Sequence, residues 1–97
     1  MRQVRILGRD EIDRFAQRHA DARKRLAGWD KVVTGAKWRN FADMKHTFNS
    51  VDFDGFETIF DIGGNNFRLK ALVDYEAQTV AVTDVMTHAE YSKRKSK

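Results

Sequence analysis

The clearest pattern in the chain is an alternation of apolar and polar residues within positions 56–91. Its middle run places five apolar residues on one parity: Phe67, Leu69, Ala71, Val73 and Tyr75. Arg68 and Lys70 fall on the other parity. Because successive side chains of a strand point to opposite faces, the pattern predicts one core-facing side and one side that displays two cations. The displayed side is where we look for function.

Two more apolar runs predict strands beside this one. Residues 58–62 come first, and Gly-Gly-Asn-Asn at 63–66 follows as a hairpin turn, since Gly and Asn tolerate positive φ. After a turn at 75–78, residues 79–86 form the third run. The turn at 63–66 lacks the glycine spacing and the following helix of a phosphate-binding loop, so we reject that interpretation. The sequence therefore predicts a three-stranded antiparallel meander.

The first half of the chain has the spacing of amphipathic helices. A short apolar run at 4–7 predicts a first strand, and beyond it apolar residues recur at intervals of three and four as far as Gly35. We expect Asp10 to cap a first helix, Asp21 to cap a second helix after a bend, and Gly35 to end it.

Two shorter helices complete the predicted order. Asn40 is suited to cap one of them, and Thr-His-Ala-Glu at 87–90 matches a capping box at the start of a C-terminal helix. The order β-α-α-β-β-β-α predicts an α+β fold with helices packed on a small antiparallel sheet. A chain of 97 residues leaves room for one domain, over 1–97, with a basic tail at 92–97.

Composition narrows the class of protein. Apolar residues make up 41% of the chain, which supports a real core. No apolar run approaches the roughly 18–20 residues that span a bilayer, and the N-terminus becomes charged before a signal peptide could form. Without cysteine there is neither a disulfide framework nor a thiolate metal site. We expect a cytoplasmic protein that does not bind a membrane.

Charge is distributed unevenly along the chain. Residues 1–50 carry twelve Lys or Arg against six Asp or Glu, whereas residues 51–97 carry six against eight. The net charge is +4 and the isoelectric point is near 9.6. Clustered cations suit a polyanion such as nucleic acid. Many small soluble proteins are also basic, so charge alone supports this partner only weakly.

Four residues could cleave RNA without a metal ion. Arg68 could hold a phosphodiester by a bidentate fork, and Lys70 could do so as a point charge. His88 could transfer a proton near neutral pH, and Tyr91 could stack on a base or assist proton movement. Such a site uses the ribose 2′-hydroxyl as its nucleophile and therefore acts on RNA only. Cations on an exposed sheet face, and an HxxY at a helix start, also occur without any such function.

Other residues are candidates for binding RNA. Arg39 and Lys45 stand among aromatic residues, an arrangement that suits stacking and phosphate pairing. The same aromatics are more often the buried side of a connecting segment. Asn65 in the predicted turn and Lys93 in the basic tail are further RNA-binding candidates. The three histidines lack metal-ligand spacing, so we expect no metal and no cofactor.

Three segments resemble a known family: W-R-N-F at 38–41, F-D-I-G-G-N-N-F-R-L at 60–69 and V-M-T-H-A-E-Y at 85–91. They are similar to the HigB-type toxins of bacterial toxin–antitoxin systems, which are grouped with the RelE-like mRNA interferases. The resemblance extends over about residues 4–93. It implies a microbial RNase fold whose active face lies on the sheet.

The resemblance also implies an activity and partners. The activity is cleavage of mRNA, commonly on the translating ribosome, by 2′-hydroxyl attack that leaves a 2′,3′-cyclic phosphate and a 5′-hydroxyl. The partner is a HigA-like helix-turn-helix antitoxin in a hetero-oligomer. By analogy Arg68 is the cation of the central strand, and His88 and Tyr91 match the C-terminal motif. Thr83 departs from the pattern, because related sequences often have a basic residue there, and the active face would then have one phosphate-binding group fewer.

Two other hypotheses stay open from the residues alone. One is a non-catalytic RNA-binding or ribosome-binding module in which the same cations only hold phosphate. The other is a structural partner protein whose basic helices dock an acidic chain. Cleavage of a message would separate the enzyme from both.

Overall fold

The computed structural model describes residues 3–95, with the side chains of its last helix described through Lys93. The elements in chain order are β1 Arg5–Leu7, α1 Arg9–Arg18, α2 Ala20–Thr34, α3 Phe41–Thr47, β2 Asp52–Phe53, β3 Thr58–Ile62, β4 Phe67–Asp74, β5 Thr79–Thr87 and α4 His88–Lys95. The α+β prediction is confirmed. Residues 96 and 97 of the predicted basic tail lie outside the described residues. Within the described range, no helix is both long enough and apolar enough to cross a bilayer.

The strands form one sheet in the order β1-β5-β4-β3-β2. Strands β2 to β5 are antiparallel neighbours, so the predicted meander is present with a two-residue edge strand added. β1 differs from the expectation of a purely antiparallel sheet, because it pairs parallel to β5, from Arg5 with Thr79 to Leu7 with Ala81. The chain leaves β1 through helices before it returns to the sheet, which is the connection that parallel neighbours need.

The first helix begins earlier than expected, and the prediction that Asp10 caps it is wrong. Gly8 is the cap residue, with a φ of 78°. A Cβ on Gly8 would lie 2.5 Å from the carbonyl oxygen of Val82, so the conformation and the available space both require glycine. Asp10 lies instead in the first turn of α1, where a negative charge is favourable.

The junction between α1 and α2 also differs from the prediction. His19 precedes α2, with a φ of −132°, and Asp21 lies inside the first turn. Asp21 is therefore not the cap. The other two predicted helix ends are confirmed. Gly35 ends α2, and the Asn40 side chain accepts a backbone N–H from the first turn of α3 at 2.9 Å.

Helices α1, α2 and α3 pack on one face of the sheet and bury the core beneath them. Trp29 of α2 and Phe48, just after α3, both contact Phe60 of β3, with ring centroids 5.3 Å apart in each pair. Edge-to-face aromatic pairs add to the stabilisation from burial itself. Other fully buried side chains in this layer are Phe15, Leu26, Met44, Leu69 and Val80.

We call the opposite side of the sheet the open face, and its central residues are Asp61, Arg68, Lys70, Asp84 and Met86. The predicted alternation in β4 is confirmed, since Arg68 and Lys70 lie on the side away from the core. A β-bulge in β5 changes that strand's parity, because Lys70 pairs with Asp84 whereas Ala71 pairs with Val82. Thr83 is the extra residue of the bulge.

Candidate active site

Arg68 lies at the centre of the site and is held by several neighbours. Its Nε lies 3.1 Å from Asp61 Oδ1 on β3. One terminal nitrogen donates to the carbonyl oxygens of Asn65 at 3.3 Å and Phe67 at 3.1 Å, and the other donates to Asn65 Oδ1 at 2.6 Å. Arg68 is only 7% exposed, and its guanidinium has few N–H groups beyond these. Arg68 is therefore a buried anchor and not the displayed cation that alternation predicts.

Tyr91 reaches the site from α4 and lies over Arg68. The guanidinium carbon is 5.4 Å from the centroid of the Tyr91 ring, a distance at which a cation and an aromatic face attract. The start of α4 is fixed by the predicted capping box, which is confirmed. Thr87 N–H donates to Glu90 Oε1 at 2.9 Å, and Glu90 N–H donates to Thr87 Oγ1 at 3.2 Å.

His88 is the first residue of α4 and is exposed. Its backbone N–H donates to the carbonyl oxygen of Asn66 at 2.9 Å, which ties α4 to the turn between β3 and β4. Its ring Nε2 lies 3.4 Å from Ser92 Oγ. Residues three apart in a helix share a side, so His88 and Tyr91 are neighbours. The structure thus brings His88, Tyr91 and Arg68 to one end of the open face.

Lys70 lies on the open face and is also paired with a carboxylate. Its Nζ lies 3.0 Å from Glu57 Oε1, and its side chain is 24% exposed. The Thr83 hydroxyl lies 2.5 Å from the other oxygen of Glu57 and 3.1 Å from the Lys70 carbonyl oxygen. Thr83, where the family resemblance leads us to expect a basic residue, therefore holds a carboxylate in place. Since an ammonium has more than one N–H group, Lys70 keeps donors for a phosphate.

The loop before β3 fixes the position of Glu57. Asp54 Oδ1 accepts the backbone N–H groups of Glu57 at 2.7 Å and Phe56 at 2.9 Å. These hydrogen bonds to the charged form, first that of Glu57 and then that of Phe56, lower the pKa of Asp54 below its usual value. Glu57 therefore enters the site from an ordered turn.

The carboxylates of the site are not among the residues predicted from the sequence. Glu57 and Asp61 share a parity, and the hairpin pairs Asp61 with Arg68, so the predicted register could have revealed both. Asp84 could not be placed in this way, because its side of the sheet depends on the β-bulge. Among the described side chains here, Glu57 before β3 and the two strand carboxylates Asp61 and Asp84 outnumber Arg68 and Lys70, so this part of the open face has an excess of negative side chains.

The predicted RNA-binding residues lie on different surfaces. Asn65 is part of the site through its hydrogen bonds with Arg68. Arg39 and Lys45 belong to the α3 region, which packs against the core side of the sheet, so the structure does not bring them to Arg68. Arg39 is paired with Asp43 at 3.0 Å, and Lys45 donates to two carbonyl oxygens after α3 at 3.0 and 3.1 Å. Any contact of these two residues with RNA would occur away from the site.

Lys93 lies in α4, two residues after Tyr91, and is exposed. Its contact with RNA stays a prediction. In the part of the chain that the structure describes, no three His, Asp or Glu side chains are grouped so that they could hold a metal ion.

Comparison with known proteins identifies the family. A model described as HigB_toxin, the RelE-like toxic component of a toxin–antitoxin system, matches residues 22–94. The chain is 27% identical to the mRNA interferase toxin HigB of Escherichia coli (strain K12), over 78% of this chain and 76% of that protein. The same identity and coverage hold for the proteins named mRNA interferase HigB in Escherichia coli O157:H7 and Shigella flexneri. Because the family model matches well over half of this chain, the chain belongs to the HigB family of RelE-like toxins.

Proposed function

We propose that the protein is an mRNA-cleaving toxin, an endoribonuclease that acts without a metal ion. The names of its relatives as mRNA interferases support the substrate. The observation that carries the proposal is the position of Tyr91 over Arg68, with His88 one helical turn before Tyr91. This proximity supports a site in which an imidazole, a phenol and a fixed cation act together on one phosphodiester.

The reaction requires one nucleophile and two proton transfers. The ribose 2′-oxygen attacks the adjacent phosphorus and its hydroxyl proton goes to a base. The bond from phosphorus to the 5′-oxygen then breaks, and that oxygen takes a proton, which leaves a 2′,3′-cyclic phosphate and a 5′-hydroxyl. We assign the first transfer to His88, since its imidazole is exposed at the site and histidine is the most common general base in enzymes. The Tyr91 hydroxyl supplies the second.

The two cations of the open face have different roles in this proposal. Lys70 keeps N–H donors beyond its pair with Glu57 and is partly exposed, so it contacts a phosphate oxygen. Arg68 is nearly buried and already engaged, so it acts mainly by holding Tyr91 and by adding positive charge beneath the site. Negative charge develops on the phosphate oxygens during the reaction, and a fixed positive charge nearby stabilises it.

The family implies an antitoxin partner and an RNA substrate. We propose that the antitoxin is HigA-like, with a helix-turn-helix domain, and that toxin and antitoxin form a hetero-oligomer. We propose also that cleavage takes place in the cytoplasm, on messages that the ribosome is translating. The resemblance of the segments at 60–69 and 85–91 to HigB-type toxins supports these finer statements.

Growth arrest tests the proposal in cells. Induction of the wild type without an antitoxin should stop growth, and His88→Ala should relieve the arrest because it removes the base from an exposed position. Lys31→Ala is the control, since Lys31 is exposed on α2 and takes no part in the site. If His88→Ala remains as toxic as Lys31→Ala, His88 is not the base.

Mapping of RNA ends separates an enzyme from a binding module. Translating ribosomes incubated with the wild type should yield new 5′-hydroxyl ends within messages. Binding to ribosomes or RNA with intact messages would favour a non-catalytic module instead. Soluble expression and a cooperative thermal transition for each variant would show that a loss of cleavage is not a loss of folding.

A further inference from the structure

Among the described side chains, the central strands of the open face display little positive charge that is not already paired with a carboxylate. Its two cations are paired internally, Arg68 with Asp61 at 3.1 Å and Lys70 with Glu57 at 3.0 Å. Contacts with phosphates supply much of the affinity of proteins for nucleic acids. An excess of carboxylates opposes such contacts. The described cations of the open face therefore point to another surface as a source of attraction for the strand.

Four cations lie close together in the sequence at the junction of α1 and α2, and we call them the basic corner: Arg18, Arg23, Lys24 and Arg25. All four are exposed. Among the side chains that the structure describes, none of the four forms an ion pair with a carboxylate. Asp21 is the one acidic residue in this stretch of the sequence. The basic corner thus has the positive charge that the open face lacks.

The basic corner adjoins the candidate active site on the side of β5. The ring of His19, between α1 and α2, lies 6.2 Å from the ring of Phe67 on β4, centroid to centroid. Phe67 pairs with Thr87, the residue immediately before His88. Phe67, which lies against His19, is therefore one strand spacing, about 4.8 Å, from the residue that precedes α4.

The basic corner also adjoins the turn between β3 and β4. The Arg25 side chain lies against Gly63, since its Cγ would be 3.3 Å from a Cβ built on that glycine. The same turn contains Asn65, which binds Arg68. The corner is thus next to the site at two independent places.

An open cleft of about 420 Å³ is lined by Arg18 of the basic corner and by Asp84 of the open face. The cleft lies between α1 and β5, and its polar lining is Glu11, Arg14, Gln17, Arg18 and Asp84. Arg14 is paired with Glu11, so Arg18 is the lining cation that forms no ion pair with a described carboxylate. It forms because β1 pairs with β5 only as far as Ala81, so α1 and not a strand flanks the rest of that edge. The Gln17 amide can hydrogen-bond a base edge or a ribose hydroxyl.

We propose that the substrate RNA strand passes from the catalytic end of the open face through this cleft, and that the basic corner binds its backbone phosphates. This inference rests on the proposed function, because it names the surface that holds the substrate of that site. Arg18 is the central residue of this surface, since it belongs to both the cleft and the corner. Positive charge in the corner holds the strand, and the open face performs the chemistry.

The test measures RNA binding in the absence of cleavage. A single-stranded oligoribonucleotide with 2′-O-methyl groups has no free nucleophile and stays intact, and its Kd is measured at several salt concentrations. The variant Arg18→Gln with Arg25→Gln should lower the slope of log Kd against log salt by about 1.4, because each phosphate of a single strand that the protein no longer neutralises lowers it by about 0.7. The control is Arg5→Gln with Lys31→Gln, the same change in charge at exposed residues outside the corner. It should leave the slope unchanged.

Each outcome supports or overturns the inference. Equal slopes for the two double variants, or no binding by the wild type, would overturn it. Loss of ribosome association by the corner variant with unchanged oligoribonucleotide binding would overturn it in favour of ribosomal RNA. A corner-dependent slope in a protein that cuts no message would leave the corner as an RNA site and refute the endonuclease. Cleavage of messages without a corner-dependent slope would support the endonuclease and overturn the corner as its RNA-binding surface.

Discussion

Removal of Asp61 is expected to destabilise the protein more than loss of an ordinary surface ion pair. The Arg68 side chain is 9% exposed and that of Asp61 is 26% exposed, so the pair is mostly out of water. Removing one partner of a buried pair costs roughly 3–5 kcal/mol, because the other charge is left uncompensated. Because Asp61 is partly exposed, we expect Asp61→Ala to lower the free energy of unfolding by about 3 kcal/mol, the lower end of this range. The protein should stay folded, since small domains have about 5–15 kcal/mol of stability.

A double-mutant cycle isolates the pair itself. Asp61→Ala, Arg68→Ala and the double variant are compared by urea unfolding, and we expect a coupling of about 1–3 kcal/mol with an unchanged m-value. The same cycle at Arg39 and Asp43 serves as the control, because the Arg39 side chain is 83% exposed. That pair should show no resolvable coupling. An equally small coupling at Asp61 and Arg68 would refute the description of Arg68 as a buried anchor.

Three further predictions concern single positions. Tyr91→Phe keeps the ring over Arg68 and should slow cleavage about 100-fold or more, and full activity would exclude the hydroxyl as a proton donor. Gly8→Ala should lower the free energy of unfolding, measured by urea titration, by at least about 1–2 kcal/mol. Gly28→Ala, at a position on α2 with open space, should raise it by about 0.5–1 kcal/mol. The opposite order would contradict the requirement for glycine at position 8. Because hydrogen bonds lower the pKa of Asp54 in the folded state, its carboxylate stabilises the protein above the unfolded pKa of about 3.9, and this contribution is lost as pH falls through the folded pKa. The stability advantage of wild type over Asp54→Asn should therefore shrink on acidification from pH 7, and an advantage that grows would be inconsistent with the hydrogen bonds.

Local patterns predict most of the fold because they depend on neighbouring residues. The alternation at 67–75 predicts β4, and the capping box at 87–90 predicts the start of α4. The start of α1 could not be predicted locally. Gly8 is required there because of the Val82 carbonyl oxygen, which is distant in the sequence. The parallel position of β1 depends in the same way on β5, its distant partner.

The site follows the same division between local and distant information. The residue types of Arg68, His88 and Tyr91 suggest RNA chemistry, and the resemblance supplies the reaction. Burial of Arg68 could not be predicted from alternation, because it results from Asp61 on the next strand and Tyr91 on a separate helix. The pairing of Lys70 with Glu57 likewise depends on where the turn before β3 directs that carboxylate. Alternation indicates a side of the sheet, and neighbours across the sheet decide how much charge is displayed there.

The most direct test of the central claim is cleavage at one mapped site with a modified nucleotide. A message is translated in a purified system with the wild-type protein, and the position of a new 5′-hydroxyl end is determined. The same message is then prepared with a single 2′-deoxynucleotide on the 5′ side of that bond. We predict that cleavage at this bond disappears while other sites are still cut, and that His88→Ala cuts neither message. Undiminished cleavage at the deoxy-substituted bond would contradict attack by the ribose 2′-oxygen.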